Sequence, residues 1–194
     1  MSVTTQAVPI CAVPICASPF VRPHEENRFN DNHRRVRLRS GAEPTKVRAT
    51  LQPAKSRQQA PTFALPDVEG KTASLKTYRG KVVLLDFWAT WCHGCKEEIP
   101  WFAEFERKYA KQGLAVVGVS LDEDGWKAVD PFLKTADVPY RIVLGNDFAA
   151  KKYNVGNMPD AFLIDRRGRI AATYVGLVDR DDIESKICTM LAQH

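Results

Sequence analysis

Two cysteines three positions apart, in Cys92-His93-Gly94-Cys95, are the residues of this chain best suited to chemistry. A thiolate is the nucleophile of disulfide exchange, and two thiols at this spacing can attack a disulfide in turn. Structural zinc is the competing use of such a pair, but it needs about four ligands, and no second pair stands at a suitable spacing. The flanking residues say how the thiols are placed. Val82-Val83-Leu84-Leu85-Asp86-Phe87-Trp88 is a β-favouring run long enough for a strand buried on both faces. After Cys95 the pattern turns helical, with Ile99, Phe102, Phe105 and Tyr109 near one face. The thiols therefore stand where a strand hands over to a helix. Unpaired N–H groups and the positive end of the helix dipole stabilise an anion at the first of them. Cys92 is thus read as the attacking thiol. Cys95, one turn further in and more buried, resolves the mixed disulfide. His93, when protonated, would stabilise the thiolate and tune the redox poise. Asp86 lies inside the apolar run, where a carboxylate is costly unless it is neutral or has a use.

Composition separates a tail from a domain. Residues 1–60 hold ten Lys/Arg against four Asp/Glu, and residues 61–194 hold eighteen against nineteen, so the excess that makes the net charge +5 lies in the first part. The basic pI then gives no argument for a nucleic-acid site on the folded part. The expected division is a disordered basic tail, residues 1–57, rich in Pro, Arg, Ser and Thr, and a domain, residues 58–194. The tail carries a short tandem repeat ending in Cys11 and Cys16, read as two tail thiols. Its apolar stretch, residues 7–21, is broken by Pro9, Pro14 and Pro19, and no basic residue precedes it. That is neither a recognisable signal peptide nor a membrane helix.

Within the domain the spacing predicts short strands around residues 62–65 and 73–75, then the central strand, residues 81–88. The active-site helix, residues 93–111, contains Pro100, which removes one backbone bond and kinks it. A strand at residues 114–121, a helix at 126–136 and a strand at 140–144 follow. A short helix at residues 147–153 is expected with Phe148 on its inner face. A hairpin, residues 161–165 and 169–175, and a final helix, residues 179–192, close the chain. Cys188 on that helix reads as a small buried hydrophobe. Alternating β and α elements ending in a hairpin mean an α/β fold, a mixed central sheet with helices on both faces.

The segment Asp86-Phe87-Trp88-Ala89-x-Trp91-Cys92-x-x-Cys95-Lys96 resembles the active site of the thioredoxin superfamily. Further matching pieces are Ala60-Pro61-Thr62-Phe63-x-Leu65, Leu75-x-x-Tyr78-Arg79-Gly80-Lys81, Glu98-Ile99-Pro100 and Pro159-x-x-Phe162-Leu163-Ile164-Asp165-x-x-Gly168-Arg169-Ile170. Together they resemble the TlpA/ResA branch, thiol:disulfide oxidoreductases of bacterial cell envelopes. The resemblance implies a thioredoxin-like three-layer sandwich in which the strand and helix of residues 140–153 are the branch's insertion. It implies a Cys92–Cys95 redox disulfide and a buried proton acceptor at Asp86. It also implies a proton relay at Glu98, and a cis-proline at Pro159 that presents the backbone around Met158 to an extended substrate. Trp91 would be an exposed docking surface, while Phe87 and Trp88 pack inside. The chain departs from the family's pattern at Gly94, where proline is common. It departs again at Asp160, which would put a charge beside the substrate groove, and at Asp86 itself, where the branch often has a non-acid.

The resulting expectation is a protein-disulfide reductase with no bound cofactor and no metal. Its partners are disulfide-containing protein substrates and an upstream reductant, a membrane thiol transporter or a thioredoxin system. It is read as a monomer with no nucleic-acid partner. The resemblance implies a cell-envelope, extracytoplasmic location and a role in cytochrome c biogenesis. Two other readings compete. A thiol peroxidase shares the fold and the Pro61-Thr62-Phe63-x-Leu65 opening, but its P-x-x-x-[S/T]-x-x-C loop is missing, since Thr90 stands two residues before Cys92 rather than three. A binding module tethered by the basic tail would need neither cysteine.

Overall fold

The computed structural model describes residues 45–193, which form one compact unit from Thr45 onwards. In chain order the elements are β1 (Ala64–Pro66), β2 (Thr72–Ser74), β3 (Val82–Trp88), α1 (His93–Tyr109), β4 (Leu114–Ser120), α2 (Trp126–Thr135), β5 (Arg141–Leu144), α3 (Asp147–Tyr153), β6 (Asp160–Ile164), β7 (Ile170–Val175) and α4 (Arg180–Leu191). The expectations for Cys11, Cys16 and residues 7–21 lie outside the described residues.

Every residue of β3 is buried, as a continuous apolar run requires. It lies at the centre of a five-stranded sheet of order β5-β4-β3-β6-β7. β3, β4 and β5 run parallel, and β6 and β7 are antiparallel additions. β1 and β2 form a separate hairpin. On one face of the sheet, Val83, Leu85, Phe87, Val117 and Val119 pack against Phe63, Leu65 and Leu75 and against Ala149 and Tyr153 of α3. Strand alternation turns Leu84, Asp86 and Trp88 to the other layer. There α1 packs on β4, α4 on β3, and the two helices on each other. The ring of Phe132 on α2 lies 5.3 Å from that of Trp88. This is the three-layer arrangement with helices on both faces. Among the described residues no helix is long and apolar enough to cross a membrane.

Two expectations change. Phe148 is not on the inner face of α3 but 67% exposed, with the Lys152 ammonium 4.1 Å from its ring centre. The inward positions are Ala149 and Tyr153, four apart, and Phe148 is a hundred degrees off that line. Residues 45–57, which composition assigns to the tail, lie along the domain. Val47 N–H donates to Leu177 O at 2.7 Å, Asp179 N–H to Val47 O at 2.8 Å, and Gln52 N–H to Ala171 O at 2.8 Å. Ala49 N–H reaches the Asp182 carboxylate at 3.2 Å. These are main-chain bonds, which polar composition neither requires nor reveals.

Candidate active site, a disulfide at the strand to helix junction

Cys92 is the N-cap of α1. Its backbone is extended, and its Sγ accepts the Cys95 N–H at 3.2 Å. The helix offers the free amide of its third residue to sulfur, where it would otherwise offer it to a Ser or Asp oxygen. No acidic residue occupies the first turn to compete with an anion there. Cys92 and Cys95 are joined as a disulfide with Cα atoms 5.3 Å apart. Cys95 is fully buried and Cys92 retains 5% exposure, so an incoming sulfur meets Cys92 first. Trp91 beside it is 68% exposed. The His93 side chain is 95% exposed and points along the helix to Glu97, 3.8 Å away.

The approach to Cys92 is held by Asp122, which the sequence reading did not single out. Its carboxylate accepts the Thr90 N–H at 3.0 and 3.1 Å and the Thr90 hydroxyl at 2.6 Å. The Ser120 hydroxyl donates to it at 2.9 Å. On the other side of the pair, the Met158–Pro159 peptide is cis. A Cβ placed on Gly94 would lie 3.2 Å from Cδ of Pro159. The absent side chain therefore lets the proline ring close against the Cys-x-x-Cys turn. Met158 is half-buried next to it.

Three carboxyl groups are buried close enough to act on one another: Asp86 and Glu98 completely, and Asp160 at 1% exposure. Neither oxygen of Asp86 has a hydrogen-bond partner among the described residues. One oxygen of Glu98 accepts the Val178 N–H at 2.7 Å, and the other has no such partner. Burial, then the charge of Asp160, raises Asp86 to about 8. Burial, then the charge of Asp86, raises Glu98 to about 9. Burial raises Asp160 to about 6, against backbone hydrogen bonds from Gly156 and Gly176. Asp160 is therefore a buried acid next to Pro159, and its charge acts on Asp86. It is the first residue of β6, and Gly176 next to the far end of β7 closes over it. Tyr140 joins the group. Burial, then Asp86 and Glu98, holds its phenol well above the ordinary range, and its oxygen is unpartnered among the described residues. The sequence carried a signal for Glu98, because positions 95, 98, 99, 102 and 105 share one helical stripe. It carried none for Tyr140 or Asp160, whose burial depends on distant elements. Among the described residues no group of three or more His, Cys, Asp or Glu is arranged to hold a metal ion.

A cysteine pair capping the helix that follows the central strand, on this mixed sheet, defines a thioredoxin-like redox protein. The chain belongs to the AhpC/TSA family, whose sequence model matches residues 56–173. Among its relatives, the thioredoxin-like protein YneN of Bacillus subtilis (strain 168) is 36% identical over 132 residues, 67% of this chain and 77% of the relative. The thiol-disulfide oxidoreductase ResA of Geobacillus kaustophilus (strain HTA426) is 37% identical over 126 residues, 64% of this chain and 72% of the relative. A Chlorobium tepidum protein described as a candidate DsbE thiol:disulfide interchange protein superposes with a TM-score of 0.66 at 34% identity, covering 70% of this chain and 97% of that one.

Proposed function

We propose that the protein is a thiol:disulfide oxidoreductase that reduces disulfides in protein substrates. The observation that carries this is Cys92 Sγ at the N-cap of α1, bonded to a buried Cys95 and facing an open surface at Trp91. In the reduced state the Cys92 thiolate attacks one sulfur of a substrate disulfide. A mixed disulfide forms, and the other substrate sulfur leaves as a thiolate. Cys95 then loses its proton and attacks Cys92 Sγ. The substrate departs as a dithiol, and the Cys92–Cys95 disulfide keeps the two-electron oxidation. Asp86 takes the Cys95 proton, and Glu98 relays it toward the 176–178 loop, where its hydrogen bond to Val178 already points. Trp91 and the backbone at Met158 and Pro159 receive an extended substrate segment, which pairs as an added strand. His93 tunes the couple through its charge when protonated. An upstream thiol reductant returns the pair to the dithiol.

Insulin reduction with dithiothreitol tests the reading. Wild type should accelerate it, and Cys92→Ser should fall to the uncatalysed rate. Cys95→Ser, reduced and then freed of dithiothreitol before insulin is added, should accumulate a mixed disulfide with insulin, visible as a reducible mass increase. Turnover that persists in Cys92→Ser would refute the proposal. A couple near roughly −270 mV in glutathione buffers marks a reductant, and one near roughly −120 mV an oxidant.

A further inference from the structure

At the opposite end of β3 from the thiols, beside Val82, lies a cavity of about 310 Å³ lined by Lys55, Arg57, Asp165, Arg166, Arg167 and Arg169. Val82 begins β3 and Trp88 ends it, so the two sites are separated by about 20 Å at ~3.3 Å per residue. The cavity wall carries five cationic side chains and one carboxylate. Asp165 is committed. Its Oδ1 accepts the N–H groups of Arg167 and Arg169, both at 2.9 Å, and its Oδ2 meets Arg169 Nε at 3.0 Å and Arg57 Nη1 at 3.3 Å. Burial alone would raise Asp165, but these bonds hold it below the usual carboxylate range, so it stays ionised. Arg166 spends its donors on the carbonyls of Gly80 and Leu191, at 2.8 and 3.1 Å, and of Gln193. Carbonyls satisfy its hydrogen bonds without neutralising its charge. Lys55 and Arg167 are exposed at the rim and have no side-chain partner among the described residues. The wall therefore keeps a surplus of positive charge, with free donors and the exposed Ala54 at its mouth.

We propose that this cavity binds a phosphate-bearing anion with a small body, a phosphomonoester, held by Lys55 and Arg167 at the rim with the Arg57, Arg166 and Arg169 charges behind. Guanidinium forks match phosphate oxygens in pairs, and the volume lies at the lower end for small-molecule sites. The proposal is independent of the thiol chemistry, since none of its residues belongs to that site. The phosphate has two sources, a soluble ester or a lipid headgroup.

The full-length oxidised protein is titrated calorimetrically with glycerol phosphate, and by sedimentation with phosphatidylcholine vesicles with and without phosphatidic acid. The comparison is with Lys55→Ala/Arg167→Ala, and with Lys127→Ala/Lys134→Ala as a charge-matched control away from the cavity. Wild type and control should bind alike, and the rim variant at least ~10-fold more weakly, as loss of charge-assisted bonds implies. Melting temperature and insulin turnover should be unchanged in the rim variant. Binding of glycerol phosphate identifies a soluble ester. Binding of phosphatidic acid vesicles alone, lost in the rim variant, identifies a headgroup. Binding to neither, or equal weakening in the control, overturns the proposal.

Discussion

Asp86 and Glu98 give the protein a pH dependence of defined sign. Their ordinary values of 3.8 and 4.5 rise to about 8 and about 9 on folding. A raised carboxyl binds protons more tightly folded than unfolded, so stability falls as pH rises through the interval between the two values. The wild-type denaturation midpoint, minus that of Asp86→Asn, should therefore decline from pH ~5 to pH ~9. A flat difference would show that Asp86 is ionised throughout. Asp165 and Asp182 are lowered by their ion pairs and work in the opposite sense at acid pH, and the difference measurement cancels them. The same window governs the second exchange step, because a protonated Asp86 cannot accept from Cys95. Release of reduced substrate should accelerate up to pH ~9 in wild type and lose that rise in Asp86→Asn. Asp122 acts on the other side of the pair. Asp122→Ala should cost about 1–3 kcal/mol in urea unfolding, the scale of losing a charged acceptor, and should slow exchange by loosening the Thr90 turn. Thr90→Ser, which keeps the hydroxyl bond, should retain the wild-type rate.

α1 carries two parts of the site on one face. Cys95, Glu98, Ile99, Phe102, Phe105 and Tyr109 form its buried stripe, so one packing surface positions both the resolving thiol and its relay acid. Phe102 has no exposure, and Phe102→Ala should cost about 3–5 kcal/mol by denaturant titration. A 3-10 turn, Ala110–Gln112, continues α1 and is stopped at Gly113, whose φ is 101°. A Cβ there would also sit 2.8 Å from Arg166 Nη1. At this scale the sequence was readable where a signal is local. The apolar run of β3, the helical stripe and the helix stop at Gly113 were each set by neighbours in the chain. Asp86 was legible as an expensive carboxylate in such a run. Phe148, Asp160 and Tyr140 were not, because what exposes or buries them is the packing of α3, β7 and β5, which neighbouring residues do not specify. Asp122 escaped for a similar reason, since its partner Thr90 is thirty-two residues away.

Across the whole molecule, residues 45–57 tie the ends of the domain together. Val47 bonds both sides of the 177–179 turn, whose Val178 N–H is held by Glu98, and the Arg57–Asp165 contact is almost fully shielded from water. Removal of residues 1–57 should therefore lower the melting temperature by roughly 5–10 °C relative to removal of residues 1–44, from about three lost main-chain bonds of about 1 kcal/mol each. Scanning calorimetry of the two truncations decides it, and equal melting would show that the segment adds nothing. Composition placed the boundary at residue 57 because it registers polarity and not main-chain pairing. This segment also sets an order on the ribosome. Ala49 must wait 133 residues for Asp182, and Val47 waits nearly as long for Leu177 and Asp179. The thiols at 92 and 95 thus leave the ribosome well before the strap can close. A chain arrested short of that point would display its cysteine pair on an unlatched domain, with Glu98 still lacking its Val178 bond.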